Sequence, residues 1–189
     1  MTKKIAVVVS GNGSNFENIT RFLEGNDKAE VALLVGNKAD AYALKRAERL
    51  GVESLVWTKT DFADEQRTVR MLRDHHVDFI VLAGFLLMIP SYLISHFNRR
   101  IVNIHPSLLP KFGGKGMYGN HVHEAVKEAG ESETGITIHY VTDVCDGGDI
   151  IRQEKTAVSP DDTPDDIATK VHALEKEFYP QTILELIKQ

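Results

Sequence analysis

Residues 5–15 read IAVVVSGNGSN, an apolar run that passes through a glycine-rich loop into a polar segment. Ile5 to Ser10 is typical of a buried strand. Asn15 to Glu24 has the period of an amphipathic helix, with its apolar residues on one face: Phe16, Ile19, Phe22 and Leu23. A strand that leads through glycines directly into a helix predicts the opening unit of an α/β fold.

The alternation of strand and helix continues to residue 83. We predict, in chain order, a strand at Val31–Val35, a helix at Asp40–Leu50, a strand at Ser54–Trp57, a helix at Phe62–His75 and a strand at Phe79–Ala83. The last of these strands is apolar throughout, as expected where both faces of a sheet are covered. The rhythm predicts a Rossmann-like, doubly wound, mostly parallel sheet with helices on both faces.

The second half of the chain has a different pattern. We predict strands at Arg100–His105, Thr134–Val141 and Ile150–Val158, and helices at His121–Ala129 and Pro164–Ile187. Thr163 is the expected N-cap of the last helix, with Pro164 in its first turn. Since no repeat or linker interrupts the pattern, we expect a single domain over residues 1–189.

Composition limits the classes of partner. The net charge is −5, which argues against nucleic acid because binding to its phosphate backbone needs a basic surface. The longest apolar stretch, Phe79 to Ile89, has 11 residues, whereas a membrane-spanning helix needs about 20. A single cysteine, Cys145, gives no sign of an oxidising compartment. We therefore expect a cytoplasmic protein without nucleic-acid or membrane partners. We also expect a monomer or weak homodimer, although no pattern in the sequence decides the oligomeric state.

The glycine loop between the first strand and helix has the features of a phosphate site. The first N–H groups of a helix have no partner within the helix, and glycines let a ligand approach the backbone. The loop is a poor dinucleotide fingerprint, because Phe16 occupies the place of the third glycine and no carboxylate follows the second strand before Asp40. The alternative is a tight turn that binds nothing.

Asn103 and His105 are two apart on a predicted strand, so their side chains share a face. Pro106 ends the strand, and ligands of open parallel sheets lie beyond the carboxyl ends of strands. An amide can stabilise an oxyanion and an imidazole can transfer a proton, which together suit acyl transfer. The alternative is a structural histidine beside a capping Ser107.

A carboxylate partner for His105 is expected in the segment DVCDGGD at residues 143–149. The sequence does not separate Asp143, Asp146 and Asp149, and His139 on the preceding strand is a further candidate. The chain has eight histidines but no HExxH pattern, and His121 and His123 are spaced so that they do not face each other on a helix. We therefore expect no metal.

Four segments in this order and spacing resemble the formyltetrahydrofolate-using transferases over nearly the whole chain: SGNGSN at 10–15, VLAGF at 81–85, NIHPSLLP at 103–110 and DGG at 146–148. The closest resemblance is to members that act on glycinamide ribonucleotide. It implies the formyltransferase fold and an enzyme of purine biosynthesis. The formyl donor would be 10-formyltetrahydrofolate, the acceptor would be the substrate amine, and no metal would take part.

The resemblance also implies roles for individual residues. The catalytic set would be Asn103, His105 and Asp146. The ribonucleotide would be bound by Gly13, Ser14, Asn15 and Glu175. The folate would be bound by Leu86, Leu87, Met88, Ile89, Asn103, Val141 and Asp143.

The chain departs from the family pattern at several points. Leu87 stands where an arginine is often found, and Arg67 is the nearest candidate for another family arginine. The segment Lys111–Gly119 is longer and richer in glycine than is common, and we interpret it as a mobile active-site flap.

Three other functions compete with this interpretation. A formyltetrahydrofolate deformylase would use water, for which a phosphate loop has no purpose, and that family usually adds an N-terminal regulatory domain. A methionyl-tRNA formyltransferase usually has an extra C-terminal domain and would suit a less acidic chain. A ligand-sensing module would not need the set Asn103, His105 and Asp146.

Overall fold

A computed structural model describes residues 1–188, so Gln189, the last residue of the expected domain, lies outside the described part. Seven strands form one sheet: β1 (Lys3–Val9), β2 (Ala29–Gly36), β3 (Glu53–Val56), β4 (Phe79–Leu82), β5 (Ile101–His105), β6 (Glu133–Tyr140) and β7 (Ile150–Ala157). The helices are α1 (Ser14–Phe22), α2 (Tyr42–Leu50), α3 (Lys59–Ala63), α4 (Glu65–Asp74), α5 (Ser91–His96), α6 (Asn120–Glu128) and α7 (Pro164–Ile187).

The strands lie in the order β3-β2-β1-β4-β5-β6-β7. Strands β1 to β5 pair in parallel, whereas β6 and β7 pair antiparallel. The chain moves outward from β1 to β3 and then returns to the other side of β1 with β4. The predicted doubly wound, mostly parallel sheet is therefore confirmed, and its strand order reverses between β1 and β4, where such folds bind ligands.

Helices cover both faces of the sheet, and β1 shows why. Its alternate residues Ile5 and Val7 join one apolar cluster with α1, α2, α6 and α7. Ala6 and Val8 join the opposite cluster with α3, α4 and α5. Because successive side chains on a strand point to opposite faces, a continuous apolar run is what a strand between two helical layers needs.

The helix predicted at Phe62–His75 is wrong as a single element. The chain leaves helical geometry at Asp64 (φ −92°, ψ 99°) and forms two helices, α3 and α4. The Asp64 side chain accepts a hydrogen bond from the N–H of Arg67 and so caps α4. The short helix α5 was not predicted, since its six residues are too few to show a period.

The last helix follows its prediction closely. The Thr163 side chain accepts from the N–H of Asp166, and the Asp166 side chain bonds back to Thr163, which makes a capping box. Pro164 stands in the first turn as expected. Within residues 1–188, no helix combines the length and the apolar character needed to cross a membrane.

Candidate active site

Strands β5 and β6 bring polar side chains together at one edge of the sheet. Their antiparallel register pairs Asn103 with His139 and His105 with Thr137. Between them, Ile104 points to the opposite face and joins the core with Ile138. The strand pattern thus places an amide and an imidazole on the same face, at the end of β5 that Pro106 terminates.

The ring of His139 accepts a hydrogen bond from the amide of Asn103. Burial lowers the pKa of His139, so the ring is neutral near pH 7. Its Nδ1 lies 3.0 Å from the carbonyl of Tyr140, an acceptor, so the single ring proton belongs on Nδ1. Nε2 can then accept from Nδ2 of Asn103 at 3.2 Å, which leaves the second amide hydrogen of Asn103 without this partner.

His105 is almost fully buried and lies between two acceptors. Its Nε2 lies 2.7 Å from the carbonyl oxygen of Phe112. Its Nδ1 lies 3.5 Å from Oδ2 of Asp146. With only 4% of the residue exposed, these two contacts fix the ring orientation. Such an imidazole is oriented for proton transfer or for stabilising negative charge at its edge.

The three aspartates of residues 143–149 have different environments. Asp146 faces both His105 and His139, the latter at 3.7 Å. Asp143 instead accepts from the hydroxyl of Ser91, and Asp149 accepts from Arg99 at 2.8 Å. Of the three, Asp146 is therefore the carboxylate that the fold brings to the histidines.

The backbone around Asp146 explains the glycine pair that follows it. Asp146 has a left-handed backbone conformation, with φ 52°, which aspartate tolerates better than most residues. A Cβ at Gly148 would lie 1.7 Å from the carbonyl oxygen of Tyr140, so only glycine fits there. The turn holds the carboxylate against β6.

Asn103, His105, His139 and Asp146 form a polar cluster, and the segment Lys111–Gly119 contacts it directly. Besides the contact of Phe112 with His105, the N–H of Gly114 donates to Oδ2 of Asp146 at 2.8 Å. Phe112 also has a left-handed backbone, with φ 53°, an unfavourable conformation for a bulky residue. The segment therefore lies where a flap over the site would lie, and its mobility stays a prediction.

A cavity of about 70 Å³ opens beside the cluster. Its lining includes five of the residues expected to bind folate, Leu87, Met88, Ile89, Asn103 and Val141, together with His139 and Asp146. Leu86 and Asp143 do not line it: the N–H of Leu86 donates to Oγ of Ser10, and Asp143 turns to Ser91. Thr142, Val144 and Cys145 line it too, and they belong to the loop 141–146, which the family resemblance places on one side of the folate pocket. Phe85 also lines the cavity and was not predicted.

A second, larger groove of about 380 Å³ lies between α1 and α7. Its lining includes the predicted residues Ser14, Asn15 and Glu175. Nδ2 of Asn15 donates to Oε2 of Glu175 at 2.9 Å, and burial raises the pKa of this carboxyl group. The groove therefore joins the start of α1 to the middle of α7, residues 160 apart in sequence.

Gly13 is the N-cap of α1 and has φ 74°, a left-handed conformation that favours glycine. A Cβ there would lie 2.5 Å from Cβ of Ala43 on α2, so packing alone already requires glycine. No side chain within the described residues caps α1, which leaves its first N–H groups available to an anion.

Several residues of the groove were not predicted. Arg21, Arg46, His172 and Lys176 line it as well, and all four carry or can carry positive charge. Arg46 comes from α2, and no spacing in the sequence relates that helix to α7. His172 precedes Glu175 by three residues, a helical spacing that could have indicated a shared face.

Tyr179 connects the two depressions. It is fully buried on α7, one turn after Glu175, and its hydroxyl donates to the carbonyl of Leu82 at 2.7 Å. Leu82 ends β4 and lines the smaller cavity. In residues 1–188 no group of three or more His, Cys, Asp or Glu side chains is arranged to hold a metal ion.

An open, doubly wound sheet with polar groups beyond the end of β5 defines the class: an α/β protein whose ligand site lies at the carboxyl edge of its sheet. Within that class the chain belongs to the formyl transferase family, whose model matches residues 3–183. The family assignment agrees with the resemblance seen in the sequence motifs.

Relatives with established names resemble the chain over nearly its whole length. Phosphoribosylglycinamide formyltransferase of Bacillus subtilis is 40% identical over 190 residues, covering 98% of this chain and 95% of the relative. The chloroplastic phosphoribosylglycinamide formyltransferase of Arabidopsis thaliana is 42% identical over 187 residues, covering 96% of this chain. The chain spans 64% of that plant relative, which is less than two thirds of its length.

A solved structure shares the fold. The crystal structure of phosphoribosylglycinamide formyltransferase from Bacillus halodurans has a TM-score of 0.88 and 33% sequence identity, covering 99% of this chain and 96% of the other. The formyltransferase fold is thereby confirmed.

Proposed function

We propose that this chain transfers the formyl group of 10-formyltetrahydrofolate to the amine of N1-(5-phosphoribosyl)glycinamide. The products would be the formylglycinamide ribonucleotide and tetrahydrofolate, in purine biosynthesis. The observation that carries the proposal is the similarity to phosphoribosylglycinamide formyltransferases over 98% or more of the chain. The family match over residues 3–183 includes the strand that bears Asn103 and His105.

The arrangement of the polar cluster supports a direct transfer. In the proposed reaction the substrate amine attacks the formyl carbon and a tetrahedral intermediate forms. Its oxyanion would be stabilised by the amide hydrogen of Asn103 that His139 does not occupy, together with the imidazole of His105. Because β5 and β6 hold both groups in place, little reorganisation is needed as charge develops.

The reaction also moves one proton. The attacking amine loses a hydrogen as its nitrogen bonds the formyl carbon, and the folate nitrogen gains one as its bond to that carbon breaks. We assign this transfer to His105, or to a water positioned by Asp146, whose carboxylate lies 3.5 Å from Nδ1 of the ring. No other reactant is needed for the atoms to balance.

The two depressions suit the two substrates. The groove between α1 and α7 would take the ribonucleotide, with its glycinamide end near Glu175 and its phosphate at Ser14 and Asn15. Gly13 does not line the groove but is the N-cap that precedes Ser14, so its backbone would adjoin the phosphate. The smaller cavity would take the pterin of the folate along Leu87–Ile89 and Val141, with Leu86 and Asp143 at its margin. Glu175 would therefore contact the ribonucleotide and Asn103 the folate, and the two substrates would meet at the polar cluster.

The deformylase alternative is not favoured, because the two relatives and the solved structure described above are phosphoribosylglycinamide formyltransferases. One assay tests the choice. The formyl donor is supplied with the ribonucleotide or with water alone, and the folate product is followed. We expect rapid product formation only with the ribonucleotide. Equal release in water would identify a deformylase, and no conversion in either case would leave the ligand-sensing module.

The expected localisation, partners and oligomeric state rest on the sequence. We infer a cytoplasmic protein that acts on small molecules, as a monomer or weak homodimer. The net charge of −5 supports small-molecule substrates over nucleic acid. Methionyl-tRNA as an acceptor is disfavoured on the same ground.

A further inference from the structure

Arg46 differs from the other basic residues of the ribonucleotide groove in what its guanidinium contacts. Its Nε donates to the backbone carbonyl of Asn12 at 2.8 Å, and its Nη2 donates to Oδ1 of the same residue at 2.8 Å. Its Nη1 donates to Glu17. The side chain is only 19% exposed, so this helix-borne arginine is fixed against the glycine loop.

These contacts determine the direction of two peptide units. The C=O and N–H of a trans peptide point in opposite directions. With the Asn12 carbonyl directed at Arg46, the N–H of Gly13 points away from it. The preceding carbonyl, that of Gly11, accepts from the N–H of Ala43 at 3.1 Å, so the N–H of Asn12 also points away from α2.

The two N–H groups that result are free to bind a ligand. Throughout residues 1–188, neither the N–H of Asn12 nor that of Gly13 donates to another group of the protein. A Cβ at Gly11 would have no atom within 4 Å, so the loop can be approached closely from outside. Loop carbonyls turned toward α2 and N–H groups turned away form a surface suited to an anion.

Arg46 shares its carboxylate partner, Glu17, with two other arginines. Glu17 accepts from Arg46, from Arg21 at 2.9 Å and from Arg49 at 3.4 Å. The guanidinium groups of Arg46 and then Arg21 hold the pKa of Glu17 below its ordinary value, so the carboxylate stays charged. Since one carboxylate is shared by three guanidinium groups, net positive charge remains here, but of the three arginines only Arg46 also bonds both oxygens of Asn12 and can orient the backbone.

We propose that Arg46 is a positioning residue for the phosphate of the ribonucleotide, holding the Asn12–Gly13 peptide so that its N–H faces the phosphate. This inference rests on the proposed function. If the peptide turned over, the Asn12 carbonyl would face the anion and repel it. The effect of Arg46 should therefore depend on whether the substrate carries a phosphate.

The test compares two acceptors, the glycinamide ribonucleotide and the corresponding riboside without phosphate, in wild type and in Arg46→Ala. We expect the wild type to prefer the ribonucleotide in kcat/KM. Loss of charge-assisted hydrogen bonding and of loop orientation should lower that preference by about tenfold or more. The KM for the formyl donor should change by less than about twofold, well below the tenfold that 1.4 kcal/mol represents.

Arg49→Ala is the matched control. It removes the same charge from the same helix and the same Glu17 partner, but Arg49 has no contact with Asn12. We expect the control to keep the wild-type preference. Arg46→Lys serves as the second variant, because lysine keeps the charge but lacks the planar fork that reaches both oxygens of Asn12.

The outcomes are distinguishable. If the wild type does not prefer the ribonucleotide, the proposed phosphate site itself is wrong. If the wild type prefers it and both Arg46 variants keep that preference, the positioning role is overturned. If Arg46→Lys keeps the preference for the ribonucleotide and Arg46→Ala loses it, the charge of the side chain is sufficient without its planar shape. That result would also overturn the positioning role. If Arg46→Ala does not fold, the lysine variant decides by the same criterion.

Discussion

The polar cluster at the end of β5 and the groove at the start of α1 are built on opposite principles. In the cluster, Asn103, His105 and Asp146 are side chains whose polar atoms contact other parts of the protein. In the glycine loop that adjoins the groove, the backbone N–H groups of Asn12 and Gly13 have no partner within residues 1–188. Apart from one amide hydrogen of Asn103, the first region is held by contacts within the protein, whereas the N–H groups of the second gain partners only from a ligand.

The difference assigns separate tasks to the two regions. Groups held by internal contacts keep one geometry before substrate arrives, which is what stabilisation of a transition state requires. Unpartnered backbone donors gain hydrogen bonds when an anion binds, so their contribution appears in binding. Substitutions in the two regions should therefore change different kinetic constants.

The largest effect should come from removing proton transfer in the cluster. We expect Asp146→Asn and His105→Ala each to lower kcat by about a hundredfold to ten-thousandfold, the usual contribution of a positioned acid or base. The KM for the ribonucleotide should change little. Steady-state kinetics with both substrates measures this, and Asp149→Asn, an exposed carboxylate paired with Arg99, is the control. A near-normal kcat in either variant would remove that residue from the mechanism.

The next effect concerns the buried histidine behind the groove, His123, whose ring lies 6.2 Å from that of His172. Burial, then the charge of His172, lowers the pKa of His123 from 6.5 to about 4. Between these values the unfolded chain binds a proton that the folded protein does not, so stability falls as pH drops from about 6.5 to about 4. The loss should be about 3 kcal/mol.

Urea unfolding at a series of pH values measures that loss. His123→Gln should remove most of the slope in this window, because glutamine does not titrate. His121→Gln is the matched control, since His121 is exposed on the same helix. If both variants keep the wild-type dependence of unfolding free energy on pH, the acid sensitivity arises elsewhere, for example at His139 in the polar cluster. The histidine behind the groove would then not be the source of the loss.

The smallest effect isolates the packing of the glycine loop. Gly13→Ala and Gly51→Ala both place alanine at a left-handed position, with φ 74° and 66°, which costs about 1–2 kcal/mol. Only at Gly13 does the new Cβ meet another atom, Cβ of Ala43 at 2.5 Å. We expect Gly13→Ala to lose about 1–3 kcal/mol more in free energy of unfolding.

The same variant should also raise the KM for the ribonucleotide while the KM for the formyl donor stays unchanged. Chemical denaturation and steady-state kinetics of the two variants provide the measurements. Equal stability of Gly13→Ala and Gly51→Ala, together with equal KM values for the ribonucleotide, would mean that the loop tolerates displacement. The backbone of the glycine loop would then not be fixed as proposed.

The parallel part of the sheet was predictable because each of its first three strands is followed by a segment with a helical pattern, and β4 continues the alternation to residue 83. The break between α3 and α4 was not, since the apolar face was assigned from Met71 and Leu72, which both lie in α4 and so give no information about the backbone at Asp64. Asp64 is a capping type of residue, but the same residue type is common on exposed helix faces. Local pattern cannot decide between these uses.

The site was predictable to the level of a strand and a loop. That Asn103 and His105 share a face follows from strand geometry alone. The selection of Asp146 among three aspartates depends on the partners of the other two, Ser91 and Arg99, which are distant in sequence. The contact of Arg46 with Asn12 likewise joins residues 34 apart, and no sequence spacing announces it.

The hydrogen bond between the Tyr179 hydroxyl and the carbonyl of Leu82 links the groove to the smaller cavity. Glu175 lies at the groove and Tyr179, one turn later on the same rigid helix, is bonded to the end of β4 beside the smaller cavity. The separation of the two depressions is therefore set by covalent and helical geometry before any ligand binds. On the proposed function, much of the entropy needed to align amine and formyl group would be lost during folding, which raises their effective molarity when both are bound.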